Sequence, residues 1–221
     1  LHLLNMYVQQ LYTNCLAEAA YYIESNGEAA IVDPIREIEP YLEMARQRGT
    51  TIKYVFETHF HADFVSGHID LAKETGATIV FGPLAETQYK TYTAKDGEEF
   101  HLGNITLKAI HTPGHTPEAI SILVFDLAKD AQHPQAMLTG DTLFIGDVGR
   151  PDLMASIGIT AEELAGELYD SLHNKLLSLP DATLVYPAHG AGSMCGKNLG
   201  KALDGLCQRD ECRLAKGPKV R

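Results

Sequence analysis

Four short motifs, each placed where a run of strand-like residues ends, constrain this sequence more than any other feature. They are His59-Phe60-His61-Ala62-Asp63, Thr112-Pro113-Gly114-His115, Thr139-Gly140-Asp141 and Pro187-Ala188-His189. In layered α/β folds, the carboxyl ends of strands are a favoured location for ligands. Imidazole and carboxylate groups are the ligand set of zinc and of non-haem iron. The sequence therefore predicts a fold that brings four strand ends to one metal site.

The segments between these motifs alternate between strand and helix patterns. Strands are predicted at 7–12, 19–24, 29–32, 52–56, 77–81, 105–110, 120–125, 136–138 and 183–186. Helices are predicted from 38 to a stop at Gly49, over 66–74, and after a capping box formed by Thr160 and Glu163. This alternation in both halves predicts an α/β fold in which two mixed sheets pack face to face with helices outside, an αββα sandwich.

Composition limits the classes of function. The 221 residues carry 18 basic and 29 acidic side chains, a formal net charge of −11, which disfavours nucleic acids and anionic membranes as partners. No apolar run approaches the roughly 20 residues that cross a bilayer. The 4 cysteines are too few and too irregularly spaced for a disulfide framework. We therefore expect a cytoplasmic protein with reduced thiols, no nucleic-acid partner and no membrane partner.

The identity and order of the four motifs resemble the metallo-β-lactamase superfamily, whose αββα sandwich gathers such ligands at one edge of its two sheets. Three longer segments, residues 58–68, 139–153 and 186–197, are similar to the persulfide dioxygenases and in particular to their bacterial form fused to rhodanese domains. The resemblance implies an enzyme that uses one Fe²⁺ and dioxygen to convert a thiol persulfide to sulfite and free thiol.

One position departs from the dinuclear hydrolases of this superfamily, which typically read His-x-His-x-Asp-His. Phe64 stands where the last of these histidines helps to hold the second ion, and a phenyl ring cannot bind a metal. We therefore expect one metal ion per chain. A mononuclear site suits Fe²⁺ held by two histidines and one carboxylate, and Zn²⁺ is the alternative ion. By resemblance, the catalytic metal ligands are His59, His115 and Asp141.

Five further residues are assigned supporting roles. We expect His61, Asp63 and His189 to orient the ligands through hydrogen bonds. Arg150 and Cys195 are candidates for substrate contact. The guanidinium of Arg150 suits a carboxylate, although a loop salt bridge with Asp147 or Asp152 explains it equally well. Cys195 could accept sulfur from the substrate, and its alternative role is packing as a small buried residue.

The sequence allows more than one substrate thiol and more than one reaction. Glutathione-specific relatives carry an aromatic residue two places after the last histidine, where this chain has Ala191. The substrate persulfide is thus one of glutathione, coenzyme A or a similar thiol. The second candidate function is a metal-dependent hydrolase of the glyoxalase II, lactonase or β-lactamase kind, in which an activated water attacks a carbonyl carbon.

The chain is expected to contain one folded domain. We assign residues 6–199 to a metallo-β-lactamase-fold domain, 1–5 to residual expression sequence ahead of the first methionine, and 200–221 to a divergent or truncated tail. No rhodanese domain is expected within this length. A separate rhodanese partner and assembly into a homo-oligomer both remain open.

Overall fold

A computed structural model describes residues 6–155, 158–191 and 193–195, together with the backbone of residues 205–206. Two mixed sheets of six strands each make up its centre. The first sheet contains β1 (Tyr7–Thr13), β2 (Glu18–Ser25), β3 (Glu28–Val32), β4 (Thr51–Phe56), β5 (Thr78–Phe81) and β6 (Tyr92–Thr93). The second contains β7 (Glu98–Leu102), β8 (Ile105–His111), β9 (Ile120–Asp126), β10 (Ala136–Gly140), β11 (Leu184–Pro187) and β12 (Gly205–Leu206).

The first sheet runs in chain order from β1 to β6. Strands β1 to β3 are antiparallel, and β3 to β6 are parallel, with α1 (Glu39–Arg48) and α2 (His68–Thr75) as crossovers. Tyr41 and Ala45 of α1 and Leu71 of α2 are buried in one apolar cluster with the outer face of this sheet. Gly49 and Gly76 end the two helices with positive φ, and the stop at Gly49 was predicted.

The second sheet has the order β12-β11-β10-β9-β8-β7 and pairs β10 with β11 in parallel. Helix α3 (Ala161–Asp170) begins at the predicted capping box and continues into a π-helical turn, Ser171–Leu176. Leu168, Leu172 and Leu176 form an apolar stripe along this helix and its π-helical turn, and the stripe is buried against the sheet. The wider π turn was not predicted, because a stripe of leucines alone does not distinguish one helical hydrogen-bond pattern from another.

The core between the two sheets is made of apolar and aromatic side chains. Its members include Tyr21, Ile23, Phe56, Leu107 and Ile122, all at most 1% exposed. The helices pack on the outer faces of the two sheets. The predicted αββα sandwich is therefore confirmed. The short strands β6, β7 and β12 were not predicted, and β12 lies in the segment assigned to the tail. In the part of the chain that the structure describes, no helix is long and apolar enough to span a membrane.

Candidate metal centre

The three predicted ligands meet at the edge of the sandwich where β4, β8 and β10 end. His59 Nε2 lies 3.8 Å and His115 Nε2 3.4 Å from the same oxygen, Asp141 Oδ2. Their ligand atoms all lie within 4.8 Å of one another, and each residue is at most 3% exposed. Among the described residues, Asp141 Oδ2 has no hydrogen-bond donor. A buried carboxylate oxygen left in this way is costly unless a cation binds it, so the residues fit a metal ion.

Both imidazole rings of this triad are held with Nε2 free to bind a metal. His115 Nδ1 lies 3.1 Å from the carbonyl oxygen of Arg150, which can only accept a hydrogen bond. His59 Nδ1 lies 3.0 Å from the hydroxyl of Thr58, whose own proton is donated to Asp33 Oδ2 at 2.7 Å. In each ring Nδ1 must therefore be the donor, which leaves the Nε2 lone pair facing Asp141. Burial also lowers the pKa of His59 well below its usual range, helped by the nearby charge of His61.

Asp141 is oriented by a chain of two further residues. Its Oδ1 accepts a 2.7 Å hydrogen bond from His189 Nδ1, and His189 Nε2 lies 2.9 Å from Asp63 Oδ2. Burial opposes the positive charge of His189, but the Asp141 and Asp63 carboxylates outweigh it and raise the pKa of His189 to about 10. The side chain of Asp63 is 33% exposed, so this series of paired side chains ends at the protein surface. The geometry suits the orienting role predicted for both residues.

His61 faces two buried carboxylates beside the triad. Its Nε2 lies 3.1 Å from Asp33 Oδ1 and 3.6 Å from Glu57 Oε2. The His61 ring also packs on the His59 ring, with centroids 4.2 Å apart. Its Nδ1 is buried and has no hydrogen-bond partner in the described part of the chain. His61 can therefore support His59 by contact, with one ring nitrogen still available.

Three buried acids beside the site were missed by sequence reasoning. Asp33 directly follows β3 and Glu57 directly follows β4, so the strand-end signal used for the other ligands would have found both. Glu18 opens β2 and carries no such signal. It is 0% exposed, neither carboxylate oxygen has a hydrogen-bond partner among the described residues, and burial raises its pKa to about 8.

Tight backbone packing places the loops that carry the ligands. Gly114, one residue before His115, has φ +142°, and a Cβ there would lie 2.3 Å from the Cβ of Leu168. Ser171 of the π-helical turn donates a 2.7 Å hydrogen bond to the carbonyl of Pro113. The helix that covers the second sheet thus also holds the loop of His115 in position.

The two substrate-contact candidates lie in different surroundings. The guanidinium of Arg150 makes a bidentate ion pair with Asp152, with hydrogen bonds of 2.6 and 2.8 Å. This is one of the two loop salt bridges considered in the sequence analysis. This loop lines a cavity of about 480 Å³ together with Met194. Cys195 is buried close to Asp141. Burial, with the charge of Asp141 as the next cause, raises the pKa of its thiol to about 12.

Comparison with known proteins identifies the class that this fold and site define. The sequence profile of the metallo-beta-lactamase superfamily matches residues 13–189. The chain therefore belongs to the metallo-beta-lactamase superfamily, a superfamily of metal-dependent enzymes, as the motifs indicated.

Its relatives include two kinds of enzyme at similar levels of identity. A hydroxyacylglutathione hydrolase of Tolumonas auensis is 38% identical over 173 residues, covering 76% of this chain and 60% of the relative. The mitochondrial persulfide dioxygenase ETHE1 of Homo sapiens is 32% identical over 164 residues, covering 73% and 59% respectively. The chain thus spans about 60% of the length of these relatives.

Solved structures agree with this placement. A metallo-beta-lactamase from Staphylococcus aureus subsp. aureus COL has a TM-score of 0.82 and 39% identity, covering 92% of this chain and 60% of that one. ETHE1 from Myxococcus xanthus has a TM-score of 0.76 and 28% identity, covering 94% and 81%. The predicted relationship to persulfide dioxygenases is confirmed at the level of homology, and hydroxyacylglutathione hydrolases are related to this chain at similar identity.

Proposed function

We propose that this chain is a mononuclear non-haem iron sulfur dioxygenase that oxidises low-molecular-weight thiol persulfides in the cytoplasm. In the overall reaction, one persulfide, one dioxygen and one water give the free thiol, sulfite and two protons. The sulfane sulfur loses four electrons and dioxygen accepts them. The proposed substrates are persulfides of low-molecular-weight thiols as a class, such as glutathione or coenzyme A.

One observation carries this proposal. The ligand atoms of His59, His115 and Asp141 meet at one point, while the Nε2 of His61 is paired with Asp33 3.1 Å away. Two imidazoles and one carboxylate make up the facial triad of non-haem iron oxygenases, which leaves coordination positions open for dioxygen and a substrate sulfur. The ring of Phe64 lies against His61, with centroids 4.3 Å apart. Dinuclear hydrolases of the superfamily typically have a metal-binding histidine at this position, so Phe64 favours a single metal ion.

The other residues of the site hold these ligands in the required state. The Arg150 carbonyl and the Thr58 hydroxyl accept hydrogen bonds from Nδ1 of the two histidines, which leaves each Nε2 lone pair available to a metal. His189 holds the Asp141 carboxylate at 2.7 Å and prevents it from turning away. The triad residues are at most 3% exposed, so the loops around them shield a bound ion from bulk solvent.

The second candidate function, a metal-dependent hydrolase, has its own support. The Nδ1 of His61 is buried without a hydrogen-bond partner among the described residues, so it could join the triad as a third imidazole ligand. Such a site suits a Zn²⁺ ion that polarises a carbonyl and activates water. The Tolumonas auensis relative, at 38% identity, is named a hydroxyacylglutathione hydrolase.

Oxygen consumption separates the two functions directly. We expect iron-loaded protein to take up dioxygen when a persulfide is added, with sulfite formed in equal amount, because the triad leaves room for both substrates. An oxygen electrode and a sulfite assay measure this, and hydrolysis of a hydroxyacylglutathione by the same preparation is the comparison. Thioester hydrolysis that is unchanged under anaerobic conditions, with no persulfide-dependent uptake, would establish the hydrolase instead.

Substitution of His61 tests which ligand set is correct. His61→Ala should leave iron bound with a modest loss of affinity, and His189→Ala should weaken it by roughly 10- to 100-fold, as is usual for groups that orient metal ligands. Iron content after dialysis against a weak chelator is the measurement, with His59→Ala as the reference for full loss. If His61→Ala strips the metal as completely as His59→Ala does, the three-histidine hydrolase site is the better description.

A further inference from the structure

Glu118 is a buried carboxylate on the segment of chain that follows His115. It lies three residues after this ligand and is 4% exposed. Its Oε1 accepts a 2.8 Å hydrogen bond from the backbone N–H of Phe60, the residue between His59 and His61. We propose that Glu118 is a positioning residue, which ties the loop of His59 to the loop of His115 so that both imidazoles face one metal ion.

A second hydrogen bond joins the same two segments of chain. The backbone N–H of Ile120 donates to the carbonyl oxygen of Thr58 at 2.8 Å. Thr58 comes directly before His59 and Phe60 directly after it, so the two bonds hold the chain on both sides of the ligand. One bond alone would let this stretch of backbone rotate and turn the imidazole away from the triad. The Glu118 side chain supplies the bond that prevents this rotation.

The segment 116–120, which carries Glu118, also holds the loop of the second histidine ligand. The carbonyl oxygen of Ala119 accepts a 2.8 Å hydrogen bond from the backbone N–H of Thr112, three residues before that ligand. Residues 116–120 are therefore bonded to both ligand loops. Because Glu118 extends from this shared segment, its carboxylate sets the position of one histidine relative to the other.

Close packing restrains both ends of the Glu118 hydrogen bond. Gly82 directly follows β5, and a Cβ added there would lie 2.3 Å from the carbonyl oxygen of Glu118 and 2.4 Å from Cγ2 of Ile120. The ring of Phe60 packs on that of Phe81, the last residue of β5, with centroids 4.9 Å apart. Donor and acceptor thus rest on the same strand end, and such rigid support is what a metal ligand needs to keep its geometry.

The burial of Glu118 indicates that stability alone does not explain it. Taking a carboxylate out of water costs free energy unless hydrogen bonds or an ion pair compensate. Among the described residues Glu118 makes no ion pair, and its carboxylate is bonded to the Phe60 N–H. An apolar side chain of similar size would avoid this cost and would leave that N–H without its acceptor.

This inference rests on the ligand assignment of the proposed function, because it concerns how His59 and His115 are aimed. It is independent of the reaction, since either candidate reaction needs both imidazoles on the metal. Metal binding is therefore the property to measure. It requires neither dioxygen nor a persulfide, so a failure of the Glu118 assignment and a failure of the dioxygenase proposal are distinguishable.

Cobalt reports the geometry of the site, because the visible d–d spectrum of Co²⁺ depends on the number and arrangement of its ligands. Co²⁺ is titrated into the metal-free chain of 221 residues and its variants. Glu118→Met keeps the volume of the side chain without a carboxyl oxygen, so we expect an altered spectrum and an affinity lowered by about tenfold or more. Glu118→Gln keeps an acceptor oxygen for the Phe60 N–H without the charge, and it should retain most of the wild-type affinity.

Glu28 provides the matched control. Its Oε2 also accepts a 2.8 Å hydrogen bond from a backbone N–H, that of Gly103. Glu28 begins β3, which runs parallel to β4, whereas the metal centre lies where β4 ends. Glu28→Met should therefore bind Co²⁺ with the wild-type spectrum and affinity.

Circular dichroism and thermal denaturation establish that each variant is folded. The proposal is wrong if folded Glu118→Met shows a lowered melting temperature but the wild-type Co²⁺ affinity and spectrum, because Glu118 then only stabilises the fold. It is also wrong if Glu118→Gln loses as much affinity as Glu118→Met. If Glu118→Met does not fold, Glu118→Asp takes its place, because the shorter side chain keeps the charge but withdraws the acceptor from Phe60. Glu118→Asp should then lower the Co²⁺ affinity, and unchanged binding would overturn the proposal.

Discussion

Replacing Asp141 by alanine is expected to abolish both iron binding and turnover. The carboxylate supplies one of three ligands, and its Oδ2 lies 3.4 Å from His115 Nε2 and 3.8 Å from His59 Nε2. Removing it leaves two imidazole ligands, which hold Fe²⁺ weakly at a site with no remaining negative ligand. His59→Ala and His115→Ala should give the same result. Elemental analysis of anaerobically loaded protein and persulfide-dependent oxygen uptake are the two measurements.

A histidine outside the site provides the matched control. His133 pairs with Asp130 on the surface, and its side chain is 57% exposed. His133→Ala should retain about one iron per chain and full activity, because surface ion pairs contribute little to stability. Asp141→Ala protein that retained a full equivalent of iron would contradict the assigned ligand set, whatever its activity.

Replacing Gly149 by alanine is expected to damage the site without removing any ligand. A Cβ at this position would lie 1.8 Å from the carbonyl oxygen of Asp141 and 3.1 Å from the Cβ of His115. The backbone of Asp141 and the side chain of His115 must therefore both move. We expect a loss of on the order of 1–3 kcal/mol in unfolding free energy, the usual cost of overpacking, together with a large loss of iron affinity.

Gly166 is the control for this substitution. It lies inside α3, and a Cβ added there would meet nothing within 4 Å. Gly166→Ala should therefore stabilise the protein by about 0.5–1 kcal/mol through helix propensity and leave iron binding unchanged. Thermal denaturation and iron titration of both variants decide the matter. Gly149→Ala protein with wild-type stability and iron content would show that the loop of 147–152 adapts freely and does not position the ligands.

The fold class and the strand-end side chains that gather at one edge could be predicted from the sequence because both leave local signals. The αββα sandwich follows from alternating strand and helix patterns, and the structure confirms its layers. The capping box of Thr160 and Glu163 lies at the start of α3. The resemblance to the superfamily assigned His59, His115 and Asp141 as ligands, each of them follows a strand, and the structure brings their ligand atoms within 4.8 Å of one another. Their role as metal ligands remains a prediction.

The partners of the other site residues could not be predicted. The spacing of His61 from His59 does not tell which way the His61 ring turns, and the structure turns it toward Asp33, which lies on a neighbouring strand end. Arg150 had two aspartates within reach along the chain, and the structure selects Asp152. These outcomes depend on side-chain rotamers and on which loops pack together.

The sequence by itself determined the class of fold, the superfamily and a set of metal-capable side chains, because strand ends, helix caps and apolar periodicity are written in short stretches of chain. Only the tertiary structure decided which atoms of those side chains face one another. The meeting of Asp63 and His189 with Cys195 is the clearest case, since one loop of the first sheet and one of the second must approach within 4.8 Å. Such proximity depends on how two sheets stack, and stacking is a property of the whole core.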